Sequence, residues 1–173
     1  PFTNIDAIAS LRVIVSPLLS AAIAASLSTP FTAVVLTFSI EDIEFALKER
    51  AKLKKWISET IKQYGMRVGD IGYLFCDDAF LLKANIAYLN HDTLTDIITF
   101  DYVEGDVVSG DIMISVERVE ENAKIFEVPF EQELHRVIIH GIHHLLGQGD
   151  KSDTEAQEMR RRENESLELW NIL

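Results

Sequence analysis

The sequence predicts a single α/β (α+β) domain, a small sheet covered by helices. Short runs rich in β-branched and apolar residues alternate with longer stretches whose apolar residues recur at helical spacing. Cap and turn residues separate these runs, and no repeat, low-complexity segment or long linker interrupts them. A chain of 173 residues, 47% hydrophobic and 25% charged, is long enough for one soluble domain with a proper core.

Residues 1–33 differ in character, being rich in Ala, Ser, Ile and Leu with few charges. The stretch from Leu11 to Leu27 is too short for a membrane span and is interrupted by Arg12 and Pro17. It faintly resembles a signal peptide with a thin charged region. We read residues 1–33 as an N-terminal extension whose role is not legible, and residues 34–173 as the domain.

Thr32 to Ile40 reads as the first strand. Glu41 to Tyr64 reads as a helix, with Phe45, Leu53, Trp56, Ile57 and Ile61 on one side and Gly65 closing it. Asp70 to Cys76 is a strand, and Asp77 or Asp78 caps a helix reaching Tyr88. A loop then leads to a strand over Thr95 to Val103. Glu104-Gly105-Asp106 turns the chain into a strand from Val107 to Ser115. Ser115 caps a short helix to Phe126, and Pro129 sits at the start of another that runs to Leu146. Ser152 and Glu155 form a capping box for a last helix ending near Trp170.

The net charge of −12 excludes a broad electrostatic footprint for nucleic acid. Any such contact needs a local basic surface. Candidates are Lys48, Arg50, Lys52, Lys54 and Lys55 on one helix and Arg160, Arg161 and Arg162 on another, although runs like these are usually solvated helix faces. The one cysteine, Cys76, excludes an internal disulfide and reads as a buried small hydrophobe in a reducing compartment, not as a catalytic thiol.

The chemistry concentrates in His140-Gly-Ile-His-His-Leu-Leu-Gly-Gln-Gly-Asp150. His140 and His144 are four apart and share one helix face, a spacing that suits two imidazoles on one metal ion. The helix around them is apolar, so unpartnered histidines there would be penalised by burial. Gly147 permits a left-handed turn after the helix, and the chain can swing back so that Asp150 reaches the same ion. Three protein ligands with one open position is the arrangement of a catalytic metal site. His143, about 100° round the helix from His144, reads as packing or support.

This stretch resembles the YbeY family, bacterial metal-dependent endoribonucleases of ribosomal RNA maturation, whose pattern is His-Gly-x-Leu-His-Leu-x-Gly-Tyr-Asp-His. His140, Gly141, His144, Leu145 and Gly147 match it, and the third ligand, usually histidine, falls on Asp150. Thr95-Asp-Ile-Ile-Thr-Phe100 is similar to the family's Thr-Asp-Val-Leu-Ser-Phe, and Gly110-Asp-Ile-Met-Ile-Ser115 to its Gly-Asp-Ile-x-Ile-Ser. The resemblance spans roughly Thr37 to Leu173. It implies a mixed four-stranded sheet and a zincin-like core with a central metal-binding helix. It also implies single-strand cleavage at the small-subunit rRNA 3′ end and ribosome quality control. The partners it implies are ribosomal RNA and the small ribosomal subunit in the cytoplasm, with no membrane and no DNA. One departure is Leu89, which falls where the family has the arginine implicated in RNA cleavage.

One Zn2+ is the expected cofactor, with other divalent transition metals admitted by the carboxylate ligand. Zinc lowers the pKa of a bound water to about 7 and neutralises charge on a phosphate oxygen, so His140, His144 and Asp150 act through the metal-bound water. An aspartate in place of a neutral imidazole makes that water less acidic. Asp96, Asp111 and Glu133 are expected to orient the ligands or the substrate from behind, with turn capping and helix-dipole chemistry as their plainer roles. A ribosome-assembly factor with a structural metal and weak or no nuclease activity is the alternative. A zinc peptidase is disfavoured, because the general-base glutamate its motif requires after the first histidine is here Gly141.

Overall fold

In a computed structural model of the chain, which describes residues 35–173, four strands form one mixed sheet. They are β1 (Leu36–Ile40), β2 (Arg67–Cys76), β3 (Ile97–Asp101) and β4 (Val107–Ser115), in the order β1-β2-β4-β3. β1, β2 and β4 run parallel, and β3 pairs antiparallel with β4. The extension expected over residues 1–33 lies outside the described residues. Among the described residues no helix is long and apolar enough to cross a membrane.

The described residues form five α-helices: α1 (Arg50–Gln63), α2 (Asp78–Ala84), α3 (Val116–Ile125), α4 (Phe130–Leu145) and α5 (Asp153–Ile172); the first four pack on the sheet, and α5 packs on α1 and α4. Alternation along the strands divides their side chains between two faces. Ile71, Tyr73 and Phe75 of β2 and Val108, Ile112 and Ile114 of β4 enter one core with Leu53, Trp56 and Ile57 of α1 and the apolar stripe of α4. Leu74, Cys76, Ile98 and Met113 are buried on the opposite face. Burial, aided by Asp77 and Asp78, pushes the Cys76 thiol up to about 12, so it stays protonated and behaves as a hydrophobe.

Most of the expected cap chemistry is present. Asp77 Oδ1 accepts from Phe80 N at 2.7 Å at the start of α2, and Ser115 Oγ accepts from Arg118 N at 3.2 Å at the start of α3. Ser152 and Glu155 form the reciprocal capping box of α5. Two elements differ from expectation. The first helix begins at Arg50, not Glu41, because Asp42 and Glu49 have positive φ (48° and 49°), which an L-residue helix cannot continue through. Phe45 reaches Phe75 and Phe130 from this irregular segment, with ring centroids 5.3 and 6.3 Å away; its helical spacing was coincidental. The second helix is α-helical only to Ala84 and continues as a π-helical turn over Asn85–Leu89. Buried Asn85 donates to Thr93 O at 2.8 Å and pins the loop that follows.

α4 lies close against the sheet because Gly141 has no side chain. A Cβ there would meet Ile112 Cδ1 and Ile97 Cδ1 at 3.0 Å. The Tyr73 hydroxyl donates to Ile138 O at 3.1 Å and ties the same helix to β2. The histidine-bearing helix is thus fixed from below by the strands.

Candidate metal centre

α4 buries Leu134, Val137, Ile138, Ile139, Ile142 and Leu145, which fixes the rotation of the helix and leaves His140 and His144 half-buried at its edge. The helix ends as expected. Gly147 adopts φ +81°, its N–H bonds His144 O and the Gln148 N–H bonds His143 O, both at 2.9 Å. The chain then reverses and returns Asp150 to the histidines.

The three expected ligands converge. His140 Nε2 lies 3.6 Å and His144 Nε2 3.5 Å from Asp150 Oδ2, and one ligand atom from each residue falls within 4.8 Å of the others. Two donor atoms each about 2.1 Å from a tetrahedral zinc ion sit roughly 3.4 Å apart. The donor set therefore fits a small divalent cation with little rearrangement.

The far ring nitrogens strengthen the fit. His140 Nδ1 lies 2.8 Å from Glu163 Oε1, and His144 Nδ1 lies 2.9 Å from Gln148 O. A carboxylate and a carbonyl only accept, so both Nδ1 atoms carry the proton and both Nε2 atoms present a lone pair to the shared space. Burial, helped by the neighbouring His140, lowers the pKa of His144, with the Gln148 carbonyl and Asp150 opposing. The ring is kept neutral, as a ligand must be.

Glu163 was not singled out from the sequence. It is 4% exposed on the inner face of α5, where Arg136 Nη1 reaches its Oε2 at 2.9 Å and Arg160 Nη1 at 3.2 Å. Burial raises its carboxyl, but the hydrogen bonds from His140 and Arg136 outweigh this and the net shift is downward. A signal for it was available. Glu163 shares the stripe of Met159, Ser166 and Trp170 on α5, and a carboxylate in a buried stripe requires a partner.

Of the expected supports, Asp96 and Asp111 take other positions, whereas Glu133 shares Arg136 with Glu163 behind His140. Asp96 precedes β3 and accepts from Asn122 Nδ2 at 3.0 Å, while its carbonyl accepts from Ser115 N. Asp111 pairs in register with Phe100 and points away from Ile112, onto the sheet face opposite α4. There it takes a 3.3 Å hydrogen bond from the Tyr102 hydroxyl and lies over Gly72. Glu133 is 4% exposed, 3.9 Å from Arg136 Nε, and burial raises its pKa against the pull of Arg136 and Arg160. The residue in hydrogen-bond contact with His140 is Glu163. His143 is fully buried and donates from Nε2 to Ser166 Oγ at 3.0 Å, whose own hydroxyl donates to Arg162 O. Leu89 ends the π-turn, 46% exposed.

Of the basic candidates, Arg161 is taken by Glu158 and Glu165 and Arg162 by Glu158. Lys48 pairs with Glu131 and Lys52 sits over the Trp170 ring. Only Arg160 of this group reaches the side chains behind the histidines.

Comparison with known proteins agrees with this layout. The family model described as Endoribonuclease YbeY matches residues 36–171. Endoribonuclease YbeY of Flavobacterium psychrophilum is 49% identical over 138 residues, covering 80% of this chain and 98% of that protein. Its counterpart in Phocaeicola vulgatus is 47% identical over 138 residues, covering 80% and 100%. The solution structure of TM1509 from Thermotoga maritima, 28% identical, superposes with a TM-score of 0.54 over 78% of this chain and 92% of that one.

Proposed function

Because the chain belongs to the YbeY endoribonuclease family, we propose that it is a metal-dependent endoribonuclease that hydrolyses phosphodiesters in single-stranded RNA. Its substrate is ribosomal RNA, cut during maturation of the small-subunit 3′ end and in ribosome quality control. It works in the cytoplasm beside the small ribosomal subunit. His140, His144 and Asp150 hold the ion, and zinc is the metal their nitrogen and oxygen donors favour.

The observation that carries this reading is the convergence of two imidazole Nε2 atoms and one carboxylate oxygen within 4.8 Å. Three protein ligands, not four, favour a hydrolytic over a structural ion. A divalent ion in that position supplies Lewis acidity, acidifying water and neutralising charge on a phosphate oxygen. The chain's own groups do the rest. Glu163 and the Gln148 carbonyl fix both rings in the ligating tautomer, and the Gly147 turn brings Asp150 across. Its 41% side-chain exposure puts that carboxylate on the solvent side, where a strand of RNA approaches.

The test is cleavage of a structured ribosomal RNA fragment by purified protein, with and without chelator. Cleavage that chelator stops and that His144→Ala abolishes supports the reading. Cleavage that survives His144→Ala points to a contaminant, and a protein that retains its metal but never cleaves sinks the reading.

A further inference from the structure

A phosphodiester brings negative charge to a chain whose own net charge is −12, so binding RNA requires a cation placed at the site. Apart from Arg50, exposed at the start of α1, the arginines elsewhere in the described part of the domain are occupied. Arg67 is held by Asp106 through two hydrogen bonds, Arg118 by Asp78 and Glu121, and Arg161 and Arg162 by glutamates of their own helix. Arg67, Arg118 and Arg161 each have a carboxylate that serves no other cation, and Arg162 shares Glu158 with Arg161.

Arg160 is different. Its ion-pair partner is Glu163, at 3.2 Å, but that oxygen already takes a shorter bond from Arg136 and the other oxygen is committed to His140. Arg136 is bonded further to Asn164 and its side chain is 15% exposed. Arg160 is 55% exposed. The two carboxylates nearest these arginines, Glu133 and Glu163, are each 4% exposed and cannot meet a ligand from solvent. The acidic half of the cluster therefore lies inside and the cationic half faces out, one carboxylate away from a ligand histidine. A guanidinium has five N–H donors in a fork that matches a phosphate, and Glu163 orients this one while using few of them.

The geometry points to Arg160 as the substrate-binding cation of the site, contacting a backbone phosphate of the RNA strand beside the bond that is cut. This rests on the nuclease reading above and adds a residue to it. Lys151 also neighbours a ligand, Asp150, in sequence, but among the described residues no ion pair holds its ammonium in place, whereas Glu163 orients Arg160.

The experiment compares metal-loaded wild type, Arg160→Ala, Arg160→Lys and Lys151→Ala on a short single-stranded RNA. It measures kcat, KM, the salt dependence of kcat/KM and bound metal. Arg160→Ala is expected to raise KM about tenfold with a much smaller change in kcat, as loss of one charge-assisted phosphate contact predicts. Its salt slope falls by about 0.7, one single-strand phosphate contact. Arg160→Lys restores the slope and only part of the KM, Lys151→Ala changes neither strongly, and metal content is constant throughout. Unchanged KM and slope in Arg160→Ala, with wild type cleaving normally, overturn the proposal. So does a loss that follows a loss of metal, which would make Arg160 a support for Glu163 only. If metal-loaded wild type neither binds nor cleaves RNA, the nuclease reading fails first and takes this one with it.

Discussion

Glu163 Oε1 and His140 Nδ1 are 2.8 Å apart across the α4–α5 interface, so a residue midway along the last helix decides which nitrogen of the first candidate ligand is free to bind a metal. The carboxylate is 4% exposed and is itself held by Arg136. The pair is therefore a fixed part of the centre.

Glu163→Gln tests that relationship. An amide keeps the volume but gives up the charge and presents a donor as readily as an acceptor. Zinc affinity, measured by competition with a chromophoric chelator, is expected to fall roughly 10- to 100-fold. An affinity equal to that of wild type would mean that the His140 tautomer is set elsewhere.

Asp150 is the exposed member of the candidate ligand set, with a side chain 41% exposed. Asp150→Asn removes the charge and lowers metal affinity, whereas Asp150→His restores a neutral third imidazole. The second variant is expected to bind zinc and to shift the alkaline rise of RNA cleavage to lower pH, since a site one unit more positive acidifies water further. Metal content by mass spectrometry and a pH–rate profile check both, and profiles that superpose with wild type would count against the assignment.

Gly141 governs how closely α4 approaches the strands. A Cβ meets Ile112 and Ile97 at 3.0 Å, and the branched side chain of Gly141→Val meets more. Overpacking at such a site costs about 1 to 3 kcal/mol, visible as a lower denaturation midpoint. The variant should also bind metal less well, because lifting α4 moves both histidines. Unchanged stability would show that the two isoleucines yield easily.

His135 gives the fold a pH dependence separate from the metal. Burial lowers its pKa from 6.5 to about 4, against the pull of Glu49. It lies against Trp170, with ring centroids 4.1 Å apart. The unfolded chain takes up the proton at higher pH than the folded one, so its contribution is complete above about pH 6.5. It is lost as pH falls from there through about 4. After discounting for solvent screening, it amounts to on the order of 1 to 2 kcal/mol. In the presence of chelator, His135→Phe should flatten the fall in Tm across that interval. A slope equal to that of wild type would place the proton uptake on other groups.

Much of this was legible in the residues. Ser152 with Glu155, Ser115, Pro129 and Gly147 marked their helix ends, because caps act over three or four residues and need no tertiary context. The convergence of His140, His144 and Asp150 was legible for the same reason, since all three lie within eleven residues of chain. Contacts between distant elements were harder to see. Glu163 is twenty-three residues beyond His140, and Asp111 was expected as a support although its alternation with Ile112 turns it to the far face of the sheet. The start of α1 was missed because the backbone at Asp42 and Glu49, not the apolar period, sets it.

Ser166 lies three residues beyond Glu163 and is clamped twice. Trp56 Nε1 of α1 donates to its carbonyl at 2.6 Å, and His143 of α4 to its hydroxyl. Sliding α5 would break both clamps before it could move Glu163, so the rear of the centre is a riveted joint. Whatever give the site has when substrate arrives is left to the front, at the bend through Gly149 and the exposed Asp150, just past the Gln148 that bonds His143 and His144. Selection for a different metal would accordingly act first on that bend, and the histidines could stay as they are.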